Sequence, residues 1–226
     1  MAIFSLSRAI EQFSISRQET RLRKKIAKDR LNALPGVFRT SMEALEKAFS
    51  KAIDDLHIDY PRVDTLSYPE LHAFLVTLHL EVGAFPSFVK LLREGRGSIS
   101  SNHYERDGAH TFMAHGDEFS GKSVRLLTND LRLIEALSSA RFRPPPPWIV
   151  WYDVGPCPYN QGNPEYWTLS VWIPYWNSLS VAERETFLAE WREETRAYLS
   201  EDEWESWMFK IRMEESPPAG QVNTLS

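Results

Sequence analysis

A single cysteine, Cys157, stands among the 226 residues. It can form no intramolecular disulfide, and one thiolate cannot build a zinc cluster, so the chain reads as a protein of a reducing compartment, the cytoplasm. Long apolar runs are scarce too. No stretch approaches the roughly 20 apolar residues of a membrane-spanning helix. The opening MAIFSLSRAIEQFSISRQETRLRKK is interrupted by Ser, Arg and Glu, which predicts no secretory signal there. There is no internal repeat, and no histidine pair has the H-E-x-x-H spacing of a zinc helix. Nothing in the composition calls for a cofactor.

Aromatic residues are plentiful: eight Trp, eight Tyr and twelve Phe within a chain that is 42% hydrophobic. Such a chain can bury one substantial core, and disorder throughout is excluded. The net charge of −5 conceals an asymmetry. Residues 1–30 carry eight bases against three acids, whereas residues 181–216 carry eleven acids against five bases. Opposed ends of this kind face each other or serve separate partners. The basic stretch RQETRLRKKIAKDR alternates with acids and regular apolar positions. With the acidic total, that argues against nucleic acid as a partner.

Periodicity predicts helices through the first 95 residues. Leu22, Ile26, Leu31 and Leu34 share a face up to Pro35-Gly36. Met42, Leu45, Phe49, Ile53 and Leu56 form a second stripe. Ser67 and Glu70 read as a capping box opening a helix over SYPELHAFLVTLHLEV, and Pro86 starts another that Gly95 ends. The period then changes. Residues 98–115 read as two strands joined at Asp107-Gly108, a turn that sets Glu105 opposite His110 and His103 opposite Phe112. Further strands are expected at 123–128, 148–154 and 166–173, with a helix after Asn129. Two acidic helices with capping boxes, Ser180 with Glu183 and Ser200 with Glu203, precede a frayed tail from Pro217. The fold class is therefore α+β: a helical N-terminal region over 1–95, then a mainly antiparallel sheet of about five strands with two C-terminal helices packed on it over 96–216. Any boundary between separate domains falls between Gly95 and Ser101.

GDEFSGKS, residues 116–123, spells the phosphate-loop pattern G-x-x-x-x-G-K-[ST]. A nucleotide site there would use Gly116, Gly121, Lys122 and Ser123, with Asp153 at the end of WIVWYD holding magnesium. Three features oppose it. The preceding segment is one arm of a hairpin and not a buried parallel strand; Asp117 and Glu118 set carboxylates where polyphosphate would lie; and no helix opens directly after Lys122. The better account is a glycine-punctuated hairpin loop.

His103, Glu105 and His110 share one face of the expected hairpin near His115, an arrangement suited to metal binding or proton transfer. Exposed strand residues with a cross-strand Glu105–His110 pair are the plainer reading. His72 and His79 fall on similar faces of the expected helix, and Cys157 has no partner that would activate it.

The segment LSEDEWESWMFKIRMEE is the most informative. Trp204, Trp207, Met208 and Ile211 make one helical stripe, while Glu201, Asp202, Glu203 and Glu205 crowd its start. These residues point to a cytosolic, non-enzymatic protein-binding module that takes a basic partner through Glu201, Asp202, Glu203, Trp204 and Trp207. An immunity or antitoxin-like inhibitor is one form of it. An enzyme built on His103, Glu105 and His110, and nucleotide binding at GDEFSGKS, are the alternatives.

Overall fold

The computed structural model describes residue 22 and residues 25–54, 56–68 and 71–215. Six strands form one antiparallel sheet in the order β1-β2-β6-β5-β4-β3. They are β1 (Arg62–Tyr68), β2 (Leu71–Glu81), β3 (Gly97–Ser100), β4 (His103–Arg106), β5 (Ala109–Glu118) and β6 (Gly121–Thr128). The class is α+β, with a helix before the sheet and helices after it. Two short turns fix the register of the central hairpins. Asp107 and Gly108 (φ 54° and 79°) turn β4 into β5, and Phe119 and Ser120 (φ 51° and 56°) turn β5 into β6. Paired left-handed residues give the turn whose twist matches that of its strands. His103 accordingly lies opposite Phe112, and Glu105 opposite His110, as expected.

The segment 67–81, expected as a helix, is instead most of the β1–β2 hairpin. Its apolar positions carry two overlapping periods of two. Phe74, Val76, Leu78 and Leu80 face one core, and Leu71 and Ala73 face another. A central strand covered on both sides reads as a nearly continuous apolar run, which periodicity cannot separate from a helix. Ser67 stands opposite His72 in the ladder, and Glu70 of the expected capping box lies outside the described residues. Because β2 pairs with β6, the sheet joins residues on both sides of Gly95.

Helices cover both faces. On one side lie α3 (Phe85–Arg93) and α4 (Leu131–Ala140), which bury Phe88, Leu92, Leu133, Ile134 and Leu137 against Val124 and Leu126. Asp130 caps α4, accepting from Leu133 N at 3.1 Å. On the other side lie α1 (25–38) and α2 (Met42–Ala48), whose Leu34, Phe38, Leu45 and Phe49 meet Leu66, Phe112 and Leu127. The expected stop at Pro35-Gly36 is overrun: α1 continues to residue 38 and ends at left-handed Arg39 (φ 49°). The second stripe is shorter than expected, since Ile53 and Leu56 lie beyond α2 and pack on the α3–α4 side.

The two other expected strands are helical. PWIV forms the single-turn α5 (Pro147–Val150), and α6 (Gly162–Trp167) runs through a π turn (Thr168–Trp172) into α7 (Ile173–Asn177). The π turn brings positions five apart onto one side. Trp167 and Trp172 stack at 6.1 Å there, and Trp172 stacks on Trp176 at 5.2 Å. The alternation in YWTLSVWI thus reflects ring stacking, and Leu169, which a strand would have buried, is exposed. The last helices, α8 (Val181–Thr195) and α9 (Glu201–Glu215), complete an aromatic core that holds all eight tryptophans. Of the sheet side, Tyr60 and Phe119 join it, so α8 and α9 approach the strands through this aromatic block.

Candidate functional site

GDEFSGKS is a tight antiparallel hairpin. Gly116 stands opposite Ser123, Asp117 opposite Lys122 and Glu118 opposite Gly121. Lys122 is ion-paired with Asp117, and its ammonium lies 5.4 Å from the Phe85 ring centroid. Gly121 has a steric duty: a Cβ there would fall 2.7 Å from the Leu80 carbonyl oxygen and 2.8 Å from Pro145 Cγ. Asp153 sits exposed in the turn after α5 and not at the end of a strand. The amides of a hairpin ladder run sideways to their neighbours, whereas a phosphate loop converges them on an anion at a helix start. The expected hairpin account describes this segment.

His103 and His110 of the β4–β5 hairpin share one face, as expected. His103 Nε2 lies 3.2 Å from His110 Nδ1, and the His103 ring stacks on Phe112 with centroids 3.8 Å apart. Phe49, the C-cap of α2, approaches His110 edge-on at 6.5 Å. Burial, and then repulsion from His110, push the His103 imidazole down to about 4, against a smaller upward pull from Glu105. Glu105 itself turns away to the hairpin end, accepting from Gly108 N at 2.6 Å. His115 faces the opposite side, its ring 5.0 Å from Phe85. Among the described residues no three His, Cys, Asp or Glu side chains are grouped as metal ligands would be.

His72 and His79 are corrected with their helix, because positions seven apart on a strand point to opposite faces. His79 is buried, its Nε2 2.8 Å from the Glu118 carbonyl oxygen, and desolvation lowers its pKa. Cys157 is exposed, with its Sγ 4.0 Å from the Val154 carbonyl oxygen.

The C-terminal helices divide the expected partner-binding set. Trp204 and Trp207 are only 5% and 2% exposed; they belong to the aromatic core and cannot present their rings to a partner. Glu201 pairs with Arg192. Glu203 closes the expected capping box: Ser200 N donates to its carboxylate at 2.8 Å and Ser200 Oγ accepts from Glu203 N at 3.3 Å. The Ser200 amide, and then the Ser200 hydroxyl at 2.7 Å, both donating to it, hold the Glu203 carboxyl below its ordinary range. Charge reversal at Glu201 or Glu203 would therefore disturb α9 as well as any partner. Asp202 remains on the outer side, its carboxylate in no ion pair among the described residues. Phe209 and Met213 stand with it, 65% and 62% exposed. Positions 202, 209 and 213 lie opposite the buried 204, 207, 208 and 211 on the helical wheel, a signal present in the sequence beside the stripe first noticed.

Comparison with family models, with curated proteins and with solved structures finds no match. Function has to be argued from the surfaces themselves.

Proposed function

We propose that the chain is a cytoplasmic protein-binding module and that the outer face of α9 engages a basic partner. The observation that carries this reading is the exposure of Phe209 and Met213 one turn apart, flanked by Asp202 and Glu205. An apolar pair set among acids suits a partner segment that mixes aliphatic and basic side chains, with burial supplying affinity and charge guiding encounter. A second exposed pair supports it: Tyr152 and Tyr198 meet edge-on at 6.2 Å, and burial, then the charge of Glu194, raise the Tyr198 phenol. An inhibitor of a basic toxin is one concrete form such a module takes. The acidic face favours a protein over a nucleic acid, and the exposed lone thiol of Cys157 suits a reducing compartment.

The test compares affinity capture by the wild type with capture by a triple variant, Asp202→Arg, Phe209→Ser and Met213→Ser. All three positions are exposed; Phe209→Ser and Met213→Ser should each alter stability by no more than about 0.5 kcal/mol, and Asp202→Arg, in the first turn of α9, by no more than about 1 kcal/mol. The expected result is loss of the captured protein with the melting temperature nearly kept. Equal capture by the triple variant refutes the reading.

A further inference from the structure

The sheet face under α1 and α2 is sealed at one end, where Leu66, Leu71, Phe112 and Leu127 are buried. At the other end the same face turns polar. Arg62, Thr77 and Arg125 stand abreast on β1, β2 and β6, since Arg62 pairs with Thr77 and Thr77 with Arg125. A cleft of about 280 Å³ opens between this row and α1, walled by Leu31, Leu34 and Val37 and overhung by Tyr166 of α6. A smaller pocket continues beneath Tyr166 to His79, Ser123 and the π turn at Ser170 and Val171, and a third opening lies over Gly116. Arg125 lines all three.

The charges in this groove do not balance. Asp64 lies 3.3 Å from Arg62 and 4.0 Å from Arg30, so the single carboxylate at that end is shared between two guanidinium groups. Arg125 makes no ion pair and no side-chain hydrogen bond among the described residues. Arg62 and Arg125 stand on either side of Thr77 in the strand order β1-β2-β6, and with Arg125 unpaired among the described residues they leave an excess of positive charge at this end of the face that an anion would offset. The acids at the far end, Glu118 and the Lys122-paired Asp117, disfavour an anion there and direct it toward α1. The walls on that side are aliphatic, and the volume is at the small end of ligand pockets, which run from about 300 Å³ upward.

We propose that this groove binds a small organic acid, its carboxylate forked on the Arg125 guanidinium beside Thr77 and its apolar body laid against Leu34, Val37 and Tyr166. A guanidinium fork matches a carboxylate in two parallel hydrogen bonds, and the aliphatic wall explains a preference for an organic over an inorganic anion. The site uses no residue of α9, so its failure and that of the protein-binding reading are separable.

Calorimetric titration of the full chain with sodium 4-phenylbutyrate tests the proposal. One saturable site is expected, weakened about ten-fold or more in Arg125→Gln and unchanged in Arg132→Gln, an exposed arginine outside the groove. The uncharged 4-phenylbutanol is expected to bind about ten-fold more weakly than the acid. Four outcomes overturn the proposal. Equal affinity in Arg125→Gln, or no saturation up to about 10 mM, leaves Arg125 a solvated surface residue. Competition by inorganic phosphate at equal concentration makes the groove a simple anion site. Binding of acetyl-Ala-Phe about ten-fold tighter than the acid assigns it to a peptide carboxyl terminus.

Discussion

The sheet and the tryptophan block are held together by different physics. In the sheet half, buried polar groups are paired with one another. Thr111 and Thr128 hydroxyls meet at 2.7 Å, and the Asn102 amide donates to the Phe38 carbonyl at 2.6 Å. Buried Asp130 takes Arg96 and Arg106, each at 2.7 Å, and caps α4. In the helical half, the indole N–H groups of Trp148, Trp151, Trp167 and Trp191 meet no oxygen or nitrogen acceptor among the described residues. Their neighbours are other rings, as where Trp148 meets Trp191 edge-on at 6.0 Å and Trp151 meets Trp167 likewise at 6.0 Å. Directional bonds specify the first half, and apolar area with ring geometry specifies the second. The halves are joined by a short seam, in which Arg143 reaches Glu81 at 2.8 Å and Glu190 at 3.2 Å while Pro145 lies over Gly121.

The largest effect should come from breaking the sheet half at its buried charge. Asp130→Ala leaves Arg96, almost wholly enclosed, without its counter-ion and removes the α4 cap. Stability should fall by about 3–5 kcal/mol in urea denaturation followed by far-ultraviolet circular dichroism. All eight tryptophans report on the other half, so fluorescence provides an independent reading of the same variant. If the two signals fall together, the seam makes one cooperative unit of both halves. A fluorescence transition left in place would show the halves unfolding separately.

The converse change is Trp148→Ala. Trp148 is fully buried and touches the rings of Trp172, Phe187, Trp191 and Trp204. Removing it should cost about 3–4 kcal/mol through lost area and an unfilled cavity. Trp148→Phe should cost much less than the alanine variant, because ring stacking tolerates a smaller ring whereas Asp130 tolerates no neutral substitute. Equal losses for Phe and Ala at this position would contradict the area-driven account of the block.

The same division explains what could be read from the sequence. Turn chemistry at Asp107-Gly108 gave the β4–β5 register, and Ser200 with Glu203 gave the start of α9, because these are local bonds between near neighbours. The β1–β2 hairpin was hidden because Leu71–Glu81 is covered on both faces, a fact set by α1, α2, α3 and α4 and not by its own residues. The segment 166–173 was misread because a π turn shifts which tryptophans share a side. Of the candidate sites, the shared face of His103, Glu105 and His110 was visible; the turning of Glu105 to Gly108 and the burial of Trp204 and Trp207 were not, since an aromatic stripe looks alike whether it meets a core or a partner. Arg125 gave no local signal. Its place beside Thr77 and Arg62 depends on pairing between strands more than forty residues apart in the chain.

A smaller effect separates the two glycines of GDEFSGKS. Gly121→Ala places a methyl group against the Leu80 carbonyl and Pro145 at the seam, and should cost about 1–3 kcal/mol. Gly116 has open space around it and an ordinary backbone conformation, so Gly116→Ala should change stability by no more than about 0.5 kcal/mol. A phosphate-cradling loop would make both glycines matter to nucleotide affinity and neither to the seam. Thermal melts of the two variants, with ATP titrations beside them, distinguish the cases: a loss of ATP binding in both would overturn the hairpin reading.

The smallest effect concerns pH and the sheet half alone. His103 is half-buried between Phe112 and His110, within the electrostatic reach of Glu105, and Phe49 at the end of α2 meets the His110 ring edge-on. Its folded pKa, about 4, is below the ordinary imidazole value of 6.5, so the unfolded chain takes up the proton more readily. Stability contributed by the neutral ring is present above pH 6.5 and declines as pH falls toward 4. Partial exposure limits the loss to on the order of 1 kcal/mol. Acid titration of the urea midpoint should show this decline in the wild type and a shallower one in His103→Gln, whose side chain does not titrate there. Residues 147–215 contain no histidine and supply every tryptophan, so the fluorescence midpoint should not lead the circular dichroism midpoint, and a fluorescence signal that does lead would place the acid-sensitive contact on the wrong side of the seam.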